Sequence, residues 1–150
     1  MSSNNVLIVN GSPKKAQSSS HALGEYVRRE CIKKGIDAEL VTLSAYLKNE
    51  ALLKEFVSKV ETCTMLFLIF PLYIDSPPYN VIQALEAIKK YSTPGNKEKR
   101  VIALSHSGLD ANQNRVAIKI CECFARELNY RFAGGLMFGN TSFLNEHQTM

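Results

Sequence analysis

Short, continuously apolar runs alternate along this chain with longer stretches whose apolar residues recur every three or four positions. Residues 6–9 (VLIV) are the first such run, the pattern of a parallel strand buried on both faces. Asn10, Gly11, Ser12 and Pro13 end it in a tight turn. Leu23, Tyr26, Val27 and Cys31 then follow at helical spacing, with Arg28, Arg29 and Lys33 between them, and Gly35 stops that helix. Residues 37–43 mix polar and apolar positions, as an exposed edge strand does. Leu52, Leu53, Phe56, Val57 and Val60 predict a second amphipathic helix.

Residues 65–70 (MLFLIF) are the most apolar stretch and read as a central strand that stops at Pro71. Three prolines within residues 71–78 remove donors and fix φ, so that segment is expected to be neither helix nor ladder but a rigid loop. Val81, Ile82, Leu85 and Ile88 give a third helix, residues 100–104 a fourth strand, and residues 105–114 a polar loop. Val116, Ile120, Phe124 and Leu128 give a fourth helix. Residues 132–138 form a last strand that carries Gly134 and Gly135. From residue 139 to Met150 no period is evident.

Strand and helix thus alternate through one α/β domain of residues 1–150, with 139–150 as an irregular tail. Regular alternation of this kind predicts an open, doubly wound, five-stranded parallel sheet with right-handed crossovers. In such sheets the ligand lies beyond the carboxyl ends of the strands. Three polar, turn-rich loops fall there: residues 10–20, 71–78 and 105–114.

Composition narrows the class. With 45% hydrophobic and 21% charged residues among 150, the chain can bury a core and is not a disordered one. The polar N-terminus has no signal-peptide core, and the longest apolar run is too short to cross a membrane, so a cytoplasmic protein is expected. The net charge of +4 suits an anionic ligand. The basic residues, Lys99 among them, are scattered as on solvated helix faces, without the aromatic interleaving of a nucleic-acid surface. Four cysteines, Cys31, Cys63, Cys121 and Cys123, form no CxxC pair and read as reduced structural thiols. No metal-ligand spacing occurs.

The first loop carries the main chemical candidate. Ser18, Ser19 and Ser20 precede a helix behind a Gly-Ser-Pro turn and Lys14-Lys15. One serine suffices to cap a helix; three at the positive end of the helix dipole point to a bound phosphate. GxGxxG and the Walker GK[ST] are both missing. Tyr73, in the proline-stiffened second loop, is favoured as an aromatic platform over a gap-filling loop residue. Asp75 could bond a polar ligand edge, cap the next helix or be solvated. His106 reads as a turn residue near Gly108, and His21 and His147 have no evident partner. No nucleophile–base–carboxylate set assembles, so the chemistry is assigned to a bound cofactor.

Gly11-Ser-Pro-Lys14, Ser18-Ser-Ser-x-x-Leu23 and Pro71-Leu-Tyr73 resemble the flavodoxin-like NAD(P)H-dependent FMN reductase family. The nearest likeness is to small bacterial flavodoxin-family oxidoreductases. Phe70-Pro-Leu-Tyr-Ile-Asp75, Gly108-Leu-Asp-Ala-Asn-Gln-Asn114 and Ala133-Gly-Gly-Leu136 carry that likeness. The resemblance implies strand order 2-1-3-4-5 and FMN at the carboxyl edge. By matching position, Ser12, Lys14, Ser18, Ser19 and Ser20 would hold the phosphate. Pro71, Leu72, Tyr73, Ile74 and Asp75 would flank the ribityl chain and ring, with Ser107, Gly108 and Leu109 at the ring's other edge. The implied reaction carries hydride from NAD(P)H through FMN to a small-molecule acceptor.

This sequence departs from the family pattern in places. Lys14 replaces a common arginine, Ser19-Ser20 replace Asn-Thr, and Ile82, Glu86 and Ala87 stand where the family has Lys and Asp-Arg. The family's final helix has no counterpart in residues 139–150. Apolar surface over the last two strands is therefore expected to be covered by a homodimer or other oligomer, by the tail through Phe143 and Leu144, or by residues beyond Met150. Two other functions compete: a flavodoxin-type electron carrier, disfavoured by the net basic charge, and a truncated domain that binds flavin weakly or not at all.

Overall fold

In the computed structural model, which describes residues 4–73, 76–93, 98–108 and 110–139, five parallel strands form one sheet. In chain order the elements are β1 (Asn5–Asn10), α1 (Ser19–Lys33), β2 (Asp37–Thr42), α2 (Glu50–Thr62), β3 (Met65–Pro71), α3 (Tyr79–Tyr91), β4 (Arg100–His106), α4 (Arg115–Glu127) and β5 (Arg131–Phe138). The strands lie in the order β2-β1-β3-β4-β5, as the resemblance implied. Among the described residues no helix follows α4.

The apolar runs sort by strand periodicity onto two faces. Leu7 and Val9 of β1, Leu66, Leu68 and Phe70 of β3, and Val101 and Ala103 of β4 face α2, α3 and α4. Phe56, Val57 and Val60 of α2 and Val81, Leu85 and Ile88 of α3 pack onto them, as does Phe124 of α4. Val6 and Ile8, Phe67 and Ile69, and Leu104 point the other way, under Leu23, Val27 and Cys31 of α1. The second face has one described helix and the first has three. At its far side Ile102 is half-buried, while Leu136 and Phe138 stand exposed. The expected apolar surface over the last strands is present there; residues 140–150, including Phe143 and Leu144, lie outside the described residues.

Two sequence expectations change. Pro71 is not loop but the last residue of β3, opposite His106. A strand end tolerates a missing N–H, and Leu72 N continues the ladder by donating to His106 O at 2.8 Å. Further on, Tyr73 and Ser76 form an isolated antiparallel bridge, closed by two backbone hydrogen bonds of 2.9 and 3.1 Å. Lys99 is not on a solvated face either. It is 6% exposed, and its ammonium donates to Val60 O, Glu61 O and Cys63 O at the end of α2, with the Tyr130 ring 5.6 Å away.

Of the two glycines of β5, Gly135 has a packing cause. A Cβ on Gly135 would lie 2.3 Å from Ile118 Cγ2, so glycine lets α4 settle on β5. A groove of about 400 Å³ runs between α3 and α4, floored by Leu85, Ile120 and Phe124 and remote from the carboxyl edge.

Candidate functional site

Among the described residues ten are buried and polar or charged, and nine of them lie at the carboxyl edge of β1 and β4 and in the loops and helix ends that follow. They are Asn10, Ser12, Ser18, Ser19, Ser20, Ser105, His106, Ser107 and Asn114. Such groups are tolerated inside only when hydrogen-bonded.

The first loop is held by its own side chains. Gly11 N donates to Ile69 O at 2.7 Å, laying the turn over the end of β3. A Cβ there would come within 2.5 Å of Val81 Cγ2, so glycine is what lets the loop press against α3. Asn10 is completely buried; its Oδ1 accepts from Ser12 N and its Nδ2 donates to Lys15 O, each at 3.0 Å. Lys15 sits at φ 58°, a left-handed conformation that side chains usually avoid, and the Asn10 bond braces it there. Ser12 Oγ accepts from Lys14 N at 3.2 Å. Ser18 caps α1: its Oγ accepts from His21 N at 3.0 Å and donates to Lys15 O at 2.6 Å. Ser12, Lys14, Ser18, Ser19 and Ser20 are thus gathered at the N-terminus of α1, with the two lysines exposed and the four serines buried.

In the second loop Pro71 and Leu72 are half-buried, and Tyr73 is 42% exposed. Ile74 and Asp75 lie outside the described residues. Asn80, at the start of α3, turns its Oδ1 to Val81 N and leaves Nδ2 buried with no partner among the described residues. His21 Nδ1 is in the same condition.

The third loop turns on Asn114, the last residue of the Gly108–Asn114 motif, to which the sequence assigned no role. It is completely buried, its Oδ1 accepts from Ser105 Oγ at 2.6 Å, and its Nδ2 reaches Ala111 O at 2.9 Å and Ser107 Oγ at 3.3 Å. Ser107 N donates to Phe138 O at 2.9 Å, tying the loop to β5. Gly108 is exposed, and a Cβ built on it meets nothing within 4 Å, so there is open space above it. Leu109 lies outside the described residues.

His106 joins the loops. It is not the turn residue the sequence suggested but the buried end of β4. Its Nε2 is 2.6 Å from Ser20 Oγ across 86 residues of sequence, and its carbonyl accepts from Leu72 N. Burial pushes the imidazole down to about 4, well below its ordinary 6.5, so it is neutral near pH 7. The first loop contains no carboxylate, and among the described residues no cluster of His, Cys, Asp and Glu could hold a metal. The arrangement offers a hydroxyl-lined helix N-terminus, two flanking cations and an exposed aromatic ring. Those are the parts of a site for a phosphorylated, partly planar ligand.

Residues 4–141 match the model of the family described as NADPH-dependent FMN reductase. Among solved structures, the fold is similar to general stress protein 14 of Treponema denticola in complex with FMN, at TM-score 0.70 and 16% identity, over 96% of this chain and 90% of that one. It is similar to an NADPH-quinone reductase from P. pentosaceus, at TM-score 0.67 and 15% identity, over 91% and 85%. An azoreductase from Bacillus anthracis str. Sterne aligns at TM-score 0.70 and 11% identity, over 97% and 92%. No curated protein matches the sequence.

Proposed function

The chain belongs to the NADPH-dependent FMN reductase family, and on that premise we propose that it passes hydride equivalents from NAD(P)H through FMN to a small-molecule acceptor. Membership makes it an FMN-dependent NAD(P)H oxidoreductase. The residue assignments and the route to the acceptor are our reading.

The residues present fit FMN. Phosphate requires donors and positive charge, and the first loop supplies the α1 N-terminus, serine hydroxyls and Lys14 and Lys15 without an opposing carboxylate. The single observation that carries the reading is this cradle of buried serines at a helix end. In it Ser12, Ser18, Ser19 and Ser20, with Lys14, would hold the phosphate. Pro71, Leu72 and Tyr73, and Ser107 and Gly108 opposite them, would bracket the ring, with Ile74, Asp75 and Leu109 completing the two walls. FMN, when bound, supplies the hydride acceptor and donor, and the protein's part is to hold the ring, exclude water and set its potential by nearby donors. The unpartnered Asn80 Nδ2 is one donor at that edge.

Anaerobic titration tests this. Protein reconstituted with FMN should show the flavin absorption bands and bleach with NADPH or NADH; flavin that stays oxidised under both leaves an electron carrier, and no retention of FMN leaves a domain that has lost the cofactor. The exposed Leu136, Met137 and Phe138 further support a homodimer through β5. Light scattering should give a dimer mass that L136E/F138E reduces to a monomer. Among the described residues no helix is long and apolar enough to cross a membrane, which agrees with a cytoplasmic reductase.

A further inference from the structure

We propose that Asn114 is a positioning residue for the flavin ring: by holding Ser107 it fixes the third loop so that the Gly108 N–H can donate to a ring acceptor. The inference rests on the reading that sets the ring against that loop, and it adds a residue that touches no ligand itself.

Asn114 stands immediately ahead of α4, where an asparagine side chain ordinarily accepts from the first helical N–H groups. Here it makes no such bond. It is completely buried, and its polar atoms are spent on β4, the third loop and β5 instead. The orientation of the amide follows from its partners. Ala111 O, 2.9 Å away, can only accept, so Nδ2 faces it and Oδ1 takes the Ser105 hydroxyl at 2.6 Å. The second Nδ2 proton lies between Ser107 Oγ at 3.3 Å and Phe138 O at 3.5 Å.

Ser107 is thereby tied on two sides. Its N–H donates to Phe138 O at 2.9 Å and its hydroxyl to Asp110 O at 3.2 Å, while the same oxygen accepts from Asn114. Gly108 is the opposite case. It is exposed, a Cβ built on it meets nothing within 4 Å, and its N–H reaches no acceptor among the described residues. Water satisfies that N–H in the free protein. One peptide beyond an anchored serine, it is a donor of fixed position with room above it. An isoalloxazine ring offers carbonyl and nitrogen acceptors, and reduction adds negative charge to them, so the donor favours the reduced ring over the oxidised one. Fixing the loop before the ligand arrives also removes an ordering cost from binding.

Riboflavin, which carries the ring without the phosphate, separates this contact from the phosphate cradle. N114L, an apolar side chain of similar size, should weaken oxidised riboflavin and oxidised FMN by the same factor, so that the preference for FMN stays as in wild type. It should weaken the reduced ring by about tenfold more, which for a two-electron couple is a potential lowered by about 30 mV. S105A, which leaves the Nδ2 bonds in place, should lower stability without moving the potential. In the wild type the Gly108 amide resonance should shift, and its hydrogen exchange should slow, when FMN binds.

A folded N114L with unchanged potential overturns the proposal, as does a Gly108 amide that neither shifts nor slows with FMN. A potential that falls equally in S105A overturns it too, because the shift then follows lost stability rather than the hold on Ser107. Should N114L not fold, S107A, which keeps the asparagine and removes its hold on the loop, carries the decision by the same potential. Wild-type protein that retains neither flavin removes the reading of the site itself, and the proposal with it.

Discussion

The two ends of the sheet solve the same problem with opposite charge. At the amino edge Lys99 is buried against the last turn of α2, its ammonium spread over three carbonyls that the helix leaves without intrahelical donors. At the carboxyl edge the first turn of α1 presents N–H groups, and neutral serines, asparagines and a neutral histidine gather around it. A helix C-terminus favours a cation and an N-terminus an anion. The amino edge carries its own counter-charge in the chain; under the proposed function the carboxyl edge leaves that charge to be brought in by FMN. A buried charge supplied internally stabilises a fold, and one left to be supplied makes a binding site.

The largest effect should come from removing the internal cation. K99M removes the donor shared by three carbonyls, of which Val60 O keeps only the Cys63 thiol, and should lower stability by about 2–4 kcal/mol, read by urea denaturation. The FMN-to-riboflavin preference of the folded fraction should not move; if it does, the two ends are coupled and the contrast fails.

Acid should break the other end. His106 has a folded value near 4 against 6.5 for the free side chain, so its contribution is complete above about pH 6.5 and is lost as pH falls toward 4. The unfolded chain takes up the proton in that window and the folded one does not, a loss of roughly 3 kcal/mol. Denaturation curves from pH 7 to 4 should show the slope, and H106Q should flatten it by that amount.

A smaller change is expected from the cap. S18A removes the acceptor for His21 N and should cost about 1 kcal/mol of stability, together with a weaker hold on FMN but not on riboflavin. The smallest effect belongs to the exposed cations. K14A/K15A should alter stability by less than about 0.5 kcal/mol and weaken FMN a few-fold at low salt. The difference should fade at high salt, where screening is strong. An unchanged FMN affinity at both ionic strengths would restrict the anion site to the helix end and its serines.

The element order was legible because central parallel strands, covered on both faces, are apolar throughout. Residues 6–9 and 65–70 are short, apolar and bounded by turn residues, which selects strand over helix, and the turns that follow strands in such a sheet fall on its carboxyl edge. What escaped the sequence depends on partners far along the chain. Lys99 reads as surface because lysine usually is; nothing local shows that its flexible stem ends beneath three carbonyls of α2. His106 and Asn114 read as loop polarity, since the groups they bond, Ser20 in one case and Ser105, Ser107 and Ala111 in the other, are brought to them only by the folded chain. Pro71 misleads for a different reason: a ladder needs its N–H only where a neighbour's carbonyl awaits it, and at the end of β3 that role passes to Leu72.

The bond between Ser20 and His106 also sets a timetable for the newborn chain. With 86 residues between them and synthesis at about 5–20 residues per second, the histidine emerges roughly 4–17 s after the serine. Through that interval the residues of β1, the first loop and α1 have been synthesised. The strand that carries the histidine has not. Ser20 therefore lacks its imidazole partner until β4 has been synthesised.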